Sequence, residues 1–237
     1  MEALVEEVRH FLEGRGPVQW SADANLVNWG FADGGEPVMF MGSDVAVDLG
    51  HPSLVSRSIV LATEEAALVR PGRISLVGPD LGQMSVGEKR SFAQILLVAT
   101  DGAADPLAID VVRTLGYRLP GWVVRVMPGR LWARVRKAEW QRGLGFEVVG
   151  TALNKALGEV PGVVAAEVFF VTSSAADVRA LESLGVRADA AAGRWRRLSL
   201  GADGELECEE LDCNTCEEQP VCDTLREVVS IRRRQSE

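Results

Sequence analysis

The sequence predicts an α/β fold, with a mixed, largely parallel sheet covered by helices, then a short C-terminal cysteine-rich metal-binding segment and a terminal helix. Three observations predict it. Short apolar runs of strand length alternate with stretches of helical periodicity. At 237 residues and 47% hydrophobic content, the chain is long and apolar enough to bury a sizeable core. All four cysteines, Cys208, Cys213, Cys216 and Cys222, fall in one short stretch near the end.

Met1 to Glu13 places Leu4, Val5, Val8, Phe11 and Leu12 at helical spacing, and Gly14, Gly16 and Pro17 end that helix. A short strand near Val18 to Trp20 and a glycine-rich turn at Asp33-Gly34-Gly35 are expected next. Residues 37 to 49 and 57 to 63 are rich in Val, Ile, Met and Leu and read as strands. Arg73 to Val77 is another, closed by the turn Gly78-Pro79-Asp80. Phe92 to Ala99 is a continuous apolar run, the mark of a strand covered on both faces. A helix is expected from about Asp105 to Leu115, and further helices at Thr151 to Leu157 and at Ala175 to Leu184, the latter closed by Gly185. Between these two, Ala165 to Val171 reads as a buried strand. Residues 186 to 202 shift in composition and are expected to connect to the cysteine segment, after which Pro220 opens a final helix, about Val221 to Arg232. The expected division is residues 1–36 (helix and lead-in), 37–186 (α/β domain) and 187–237 (connector, metal segment and helix).

The cysteine spacing, C-x4-C-x2-C-x5-C, gathers the four thiolates that a tetrahedral or cubane site needs. Disulfides are the competing use of such a cluster. The N-terminal stretch reads as an amphipathic helix and not as a secretory leader, so the thiols are expected to stay reduced in a cytoplasmic protein. No apolar run reaches the length of a membrane span.

The formal charge of -9 argues against a general nucleic-acid binder, yet it conceals a polarity. Arg113 to Arg142 carries eight basic residues against the single acid Glu139, whereas residues 203 to 223 carry nine acids and no base. Four further thiolate charges in that acidic stretch favour a filled metal site over an empty one; a solvated acidic loop is the plainer alternative. Within the basic stretch, Arg130, Trp132, Arg134 and Arg136 alternate with Leu131, Ala133 and Val135, so a strand would carry the first four on one face. Trp122, Arg125 and Trp140 are close in sequence. His10 and His51, the only histidines, are far apart and give His-dependent acid–base catalysis little to work with.

Several segments resemble, in colinear order, the catalytic beta subunit of the CO dehydrogenase/acetyl-CoA synthase family. Ile74 to Leu81 (ISLVGPDL) and the strand FAQILLVA resemble a strand, Gly-Pro-Asp turn and strand of that family. Arg130 to Leu153 is similar to its Trp-, Arg- and Lys-bearing strand–helix segment, and Val168 to Leu181 to a strand, threonine-rich turn and helix. Cys213-Asn214-Thr215-Cys216 stands where the family opens the ligands of an iron–sulfur cluster. Roughly residues 44 to 225 are covered.

The resemblance implies a [4Fe-4S] cluster held by Cys208, Cys213, Cys216 and Cys222, with zinc as the alternative that four cysteines equally allow. Only the Cys213/Cys216 pair maps directly; the other two are assigned by count. The family's middle domain is associated with coenzyme A, whose phosphates suit guanidinium forks and whose adenine can stack on indole. Arg130, Trp132, Arg134 and Arg136 are therefore the expected cofactor-binding residues. Solvated arginines, or a docking surface for the chain's own acidic tail, are the alternatives. The nickel-binding Cys-Gly-Cys of the family does not occur in the sequence, so carbon–carbon bond assembly at nickel is not expected, and no catalytic residue is assigned. The expected function is an accessory or electron-transfer iron–sulfur protein of anaerobic one-carbon or acetyl-CoA metabolism, working with a protein partner in a CO dehydrogenase-type complex and away from nucleic acid and membrane. A zinc-stapled binding module and an acyl-CoA transferase component needing a partner subunit are the alternatives.

Overall fold

A computed structural model describes residues 2–23, 41–113, 119–127, 129–191, 198–200 and 206–208. The chain divides into two compact units, Met1–Ala188 and Asp189–Glu237.

The first unit is built on a five-stranded sheet. It contains β1 (Val18–Ser21), β3 (Ser56–Thr63), β4 (Arg73–Val77), β6 (Phe92–Thr100) and β9 (Val163–Val171), in the order β1-β4-β9-β6-β3. β4 runs parallel to β9 and β3 parallel to β6, but β9 is antiparallel to β6 and β1 to β4. A second, four-stranded sheet holds β5 (Glu88–Arg90), β2 (Val45–Leu49), β8 (Arg130–Arg136) and β7 (Trp122–Met127), in that order. Only its β2–β5 pair is parallel. The sequence expectation of an α/β architecture therefore holds, whereas a largely parallel sheet does not: strand direction is mixed in both sheets. Of the antiparallel pairs, β1–β4, β2–β8 and β6–β9 join strands far apart in sequence, and only β7–β8 is a hairpin. β7 and β8 are joined by a tight turn at Gly129 (φ +65), and antiparallel neighbours need no crossover helix between them.

Each face of the five-stranded sheet is covered. On one side lie α1 (Glu2–Glu13), α5 (Ala175–Ala180) and α6 (Glu182–Ala191), whose Val5, Val8, Leu12, Val178, Leu181 and Leu184 pack on Ile59, Ile95, Leu97, Phe169 and Val171. On the other lie α2 (Pro106–Val112), α4 (Phe146–Gly158) and the inner face of the second sheet. A short helix, α3 (Lys137–Gln141), follows β8 without a break. Four aromatic rings join the inner layer: Phe146 lies 4.6 Å from Phe170, and Phe92 lies 5.9 Å from Phe146 and 6.3 Å from Trp122. Gly150 lets α4 settle directly on β4, since a Cβ there would come within 2.6 Å of Ile74. β6 is buried over eight consecutive residues, as its composition predicts.

The boundaries differ from expectation where the cause is remote in sequence. α4 begins at Phe146, well before Thr151, because the carboxylate of Asp80 reaches across from the end of β4 to accept the Phe146 N–H at 2.8 Å. Gly185 does not end a helix. Its N–H donates to the Leu181 carbonyl at 2.9 Å and α6 continues to Ala191, into the Ala-rich stretch expected as connector. The strand expected from residue 37 appears as a single 3-10 turn, Gly42–Asp44, and β2. The Asp33-Gly34-Gly35 turn, the first residues of that strand and the end of the helix expected to Leu115 lie outside the described residues. So does the helix expected at Val221 to Arg232.

In the second unit, β10 (Leu198–Leu200) pairs antiparallel with β11 (Leu206–Cys208).

Candidate functional site

The second sheet turns one face to the core and one to solvent, and β8 shows the division residue by residue. Leu131, Ala133 and Val135 are wholly buried, and Arg130, Trp132, Arg134 and Arg136 between them are half-exposed. Period-two alternation puts these four on the outer face. Register adds their neighbours: Trp132 lies opposite Arg125 of β7, and Arg134 opposite Asp48 of β2, which in turn aligns with Lys89 of β5.

Trp132 is the centre of this group. Its indole N–H donates to the Asp48 carboxylate. The guanidinium carbons of Arg134 and Arg125 lie 5.0 and 5.7 Å from its ring centroid, and the His51 ring meets it edge-on at 5.7 Å. An indole bordered by cations on a solvent-facing sheet offers a π surface and guanidinium donors together. The hydrogen bond from Trp132 engages one oxygen of the Asp48 carboxylate beside the ring.

The other two predicted arginines leave the group. The Arg130 guanidinium donates to the Leu54 carbonyl at 2.5 Å and lies 3.4 Å from that of Pro52, whereas Arg136 lies 3.9 Å from Glu139. Trp122 is in the core, and Trp140 donates to the Leu81 carbonyl at 2.8 Å, so neither belongs to the outer face. His51 is a turn histidine, its Nδ1 accepting the Ser53 N–H at 3.2 Å and lying 2.7 Å from the Ser53 hydroxyl. Sequence alone does not reveal Asp48, which joins the group only through strand register.

The nearby β5 is fixed by charge. The Ser85 N–H, together with Arg90, holds the Glu88 carboxyl below its ordinary value, and Arg90 also donates to the Thr172 carbonyl at 2.9 Å.

Of the four predicted metal ligands, Cys208 ends β11 and aligns with Leu198 of β10. Cys213, Cys216 and Cys222 lie outside the described residues. Among the described residues, no three His, Cys, Asp or Glu side chains gather as metal donors, and no helix is long and apolar enough to cross a membrane. The donor set itself, four thiolates at close spacing, suits an iron–sulfur cluster or a closed zinc site.

No protein-family model matches the chain, and no curated protein matches it.

Proposed function

We propose that this chain is an iron–sulfur protein related to the CO dehydrogenase/acetyl-CoA synthase catalytic subunit, an accessory or electron-transfer component of anaerobic one-carbon and acetyl-CoA metabolism that holds coenzyme A on the outer face of its four-stranded sheet. The observation that carries the ligand part is the grouping of Arg125, Trp132 and Arg134, with an indole for the adenine and guanidinium forks for the phosphates. Cys208, Cys213, Cys216 and Cys222 would hold the cluster, which when bound supplies one-electron transfer; the support is their spacing and the place of the Cys213/Cys216 pair in the resemblance. The surrounding acids would lower its potential, because reduction adds negative charge to a site already negative. The proposal includes no chemistry at nickel and places the protein in the cytoplasm beside a partner subunit.

One observation favours a second reading, a zinc-stapled module. β10 and β11 form a pair of three residues each, and a two-stranded hairpin alone is marginal in water unless something pins it. A closed four-thiolate zinc site would do so.

Metal content and visible absorption separate the readings. Protein purified without oxygen is expected to hold about four irons with broad absorption in the blue, both lost in Cys213→Ser; one zinc and no colour would end the redox reading. Coenzyme A titrated into the wild type and into Trp132→Ala tests the ligand part, which fails if the two bind alike.

A further inference from the structure

Beyond the outer sheet face, the structure contains a second basic feature. A cavity of about 420 Å³ opens between the loop leading into β3 and the α5–α6 region, lined by Pro52, Leu54, Arg57, Arg130, Arg179 and Glu182 among others. Three arginines thus line one space with one glutamate, a net charge of two positives.

We infer that this cavity is an oxyanion site for a dianionic phosphate, whether inorganic phosphate or the phosphoryl group of a larger molecule. Each arginine is presented differently. Arg57, only 16% exposed, is ion-paired to Glu182, while Arg130 is anchored on the Leu54 carbonyl. The Arg179 side chain has no polar partner among the described residues. The chain makes room for Arg57: Gly129 adopts φ +65, and a Cβ there would come within 2.9 Å of the Arg57 Nη1. The Gly129 carbonyl meanwhile accepts the Ser58 N–H at 3.2 Å, fixing the strand that carries Arg57. Two guanidiniums held in place and a third unpaired leave forked donors for the oxygens of one tetrahedral anion. Partial burial lowers the screening of these charges, and a dianion would balance them.

The site requires neither Trp132 nor a thiolate, so it stands apart from the coenzyme A reading. Its test uses inorganic phosphate and, separately, adenosine 3′,5′-bisphosphate, titrated by calorimetry into the full chain and into Arg179→Ala, Glu182→Gln and Trp132→Ala. Arg179 is exposed and its side chain makes no described hydrogen bond or ion pair, so Arg179→Ala is expected to melt as the wild type does. The expected result is saturable phosphate binding, at least tenfold weaker in Arg179→Ala, several-fold tighter in Glu182→Gln and unchanged in Trp132→Ala. With that pattern, tighter binding of the bisphosphate assigns the site to a phosphoryl group of a larger molecule, and equal or weaker binding assigns it to free phosphate. Absence of saturable binding by either probe, or binding indifferent to Arg179→Ala, overturns the inference. Loss of coenzyme A binding alone would leave it intact.

Discussion

The guanidinium of Arg9 in α1 meets the carboxylate of Glu167 in β9 at 3.2 Å, where Glu167 is only 1% exposed. The same carboxylate oxygen accepts the Arg70 N–H at 3.1 Å, and Arg9 also donates to the Leu68 carbonyl at 2.5 Å. A buried acid in an apolar strand is thereby neutralised from an N-terminal helix, and α1 becomes part of the sheet's electrostatics as well as its packing.

Removing Arg9 strands that charge. Arg9→Ala is expected to destabilise the protein by about 3 to 5 kcal/mol, the usual cost of breaking a buried pair from one side. Glu167→Gln, which keeps an acceptor for Arg70, should cost less, and Arg9→Ala combined with Glu167→Gln should recover part of the loss. Urea unfolding of the three variants checks the order; a loss in the double variant equal to the sum of the two single losses would mean the pair is not coupled.

Asp80 links the end of β4 to the start of α4, accepting from the Leu81 and Phe146 N–H groups at 2.7 and 2.8 Å. Asp80→Ala is expected to cost about 1 to 2 kcal/mol, with Asp80→Asn intermediate. Thermal melts of both, with amide exchange at Phe146, would show whether the first turn of α4 frays as expected.

Asp177 gives a pH dependence. The Ser173 hydroxyl, with Arg15 and the Ser174 hydroxyl, holds its carboxyl below the ordinary value. The unfolded chain therefore binds this proton more readily than the folded one. The stability it contributes is present above the ordinary aspartate range, near pH 4, and is lost as pH falls through the depressed folded value. Unfolding midpoints of wild type and Asp177→Asn, measured from about pH 7 to 3, should converge at the acid end.

The outer face of the four-stranded sheet should respond to charge. Asp48→Asn removes its negative charge beside Trp132 and should tighten coenzyme A binding several-fold at low salt, whereas Arg125→Ala should weaken it by about the same factor. Calorimetry at two salt concentrations reads both; a salt-independent effect would point to packing instead of charge.

Gly185→Ala should stabilise α6 by about 0.5 to 1 kcal/mol. A Cβ at this position would meet Ile59 at 3.6 Å and Arg57 at 3.9 Å, ordinary contact distances, while the unfolded chain loses freedom. Gly78→Ala is the contrasting control: φ is +108 and the added Cβ would come within 2.4 Å of the Ser173 nitrogen, so it should be strongly destabilising. Melting temperatures moving in opposite directions are the expected reading.

Local pattern made much of this legible in advance. The alternation along Arg130–Arg136 forecasts the burial of every residue in β8, and the largely apolar run of β6 forecasts its doubly covered place. Strand direction was not legible, because a run such as Val163–Val171 has the same composition whether its neighbours run with it or against it. β5, whose sequence is Glu-Lys-Arg, has no apolar period at all and is a strand only through its pairing with β2. Arg130 looked identical to Arg134 in sequence, yet it turns to the Leu54 carbonyl while Arg134 lies over Trp132. Nearest partners, and not residue type, separate the two.

The placement of β9 between β4 and β6 also has a consequence for the order in which the protein can come into being. Until Val171 has been synthesised, the nascent chain can hold only two half-sheets, β1 with β4 and β3 with β6, each exposing an unpaired edge along the strand that β9 later joins. Completion waits for a late segment to enter between two early ones, a long-range closure that slows folding and leaves open edges on the ribosome. A chain released before residue 163 would keep both edges permanently, and it would be expected to aggregate instead of folding to a smaller version of the same domain.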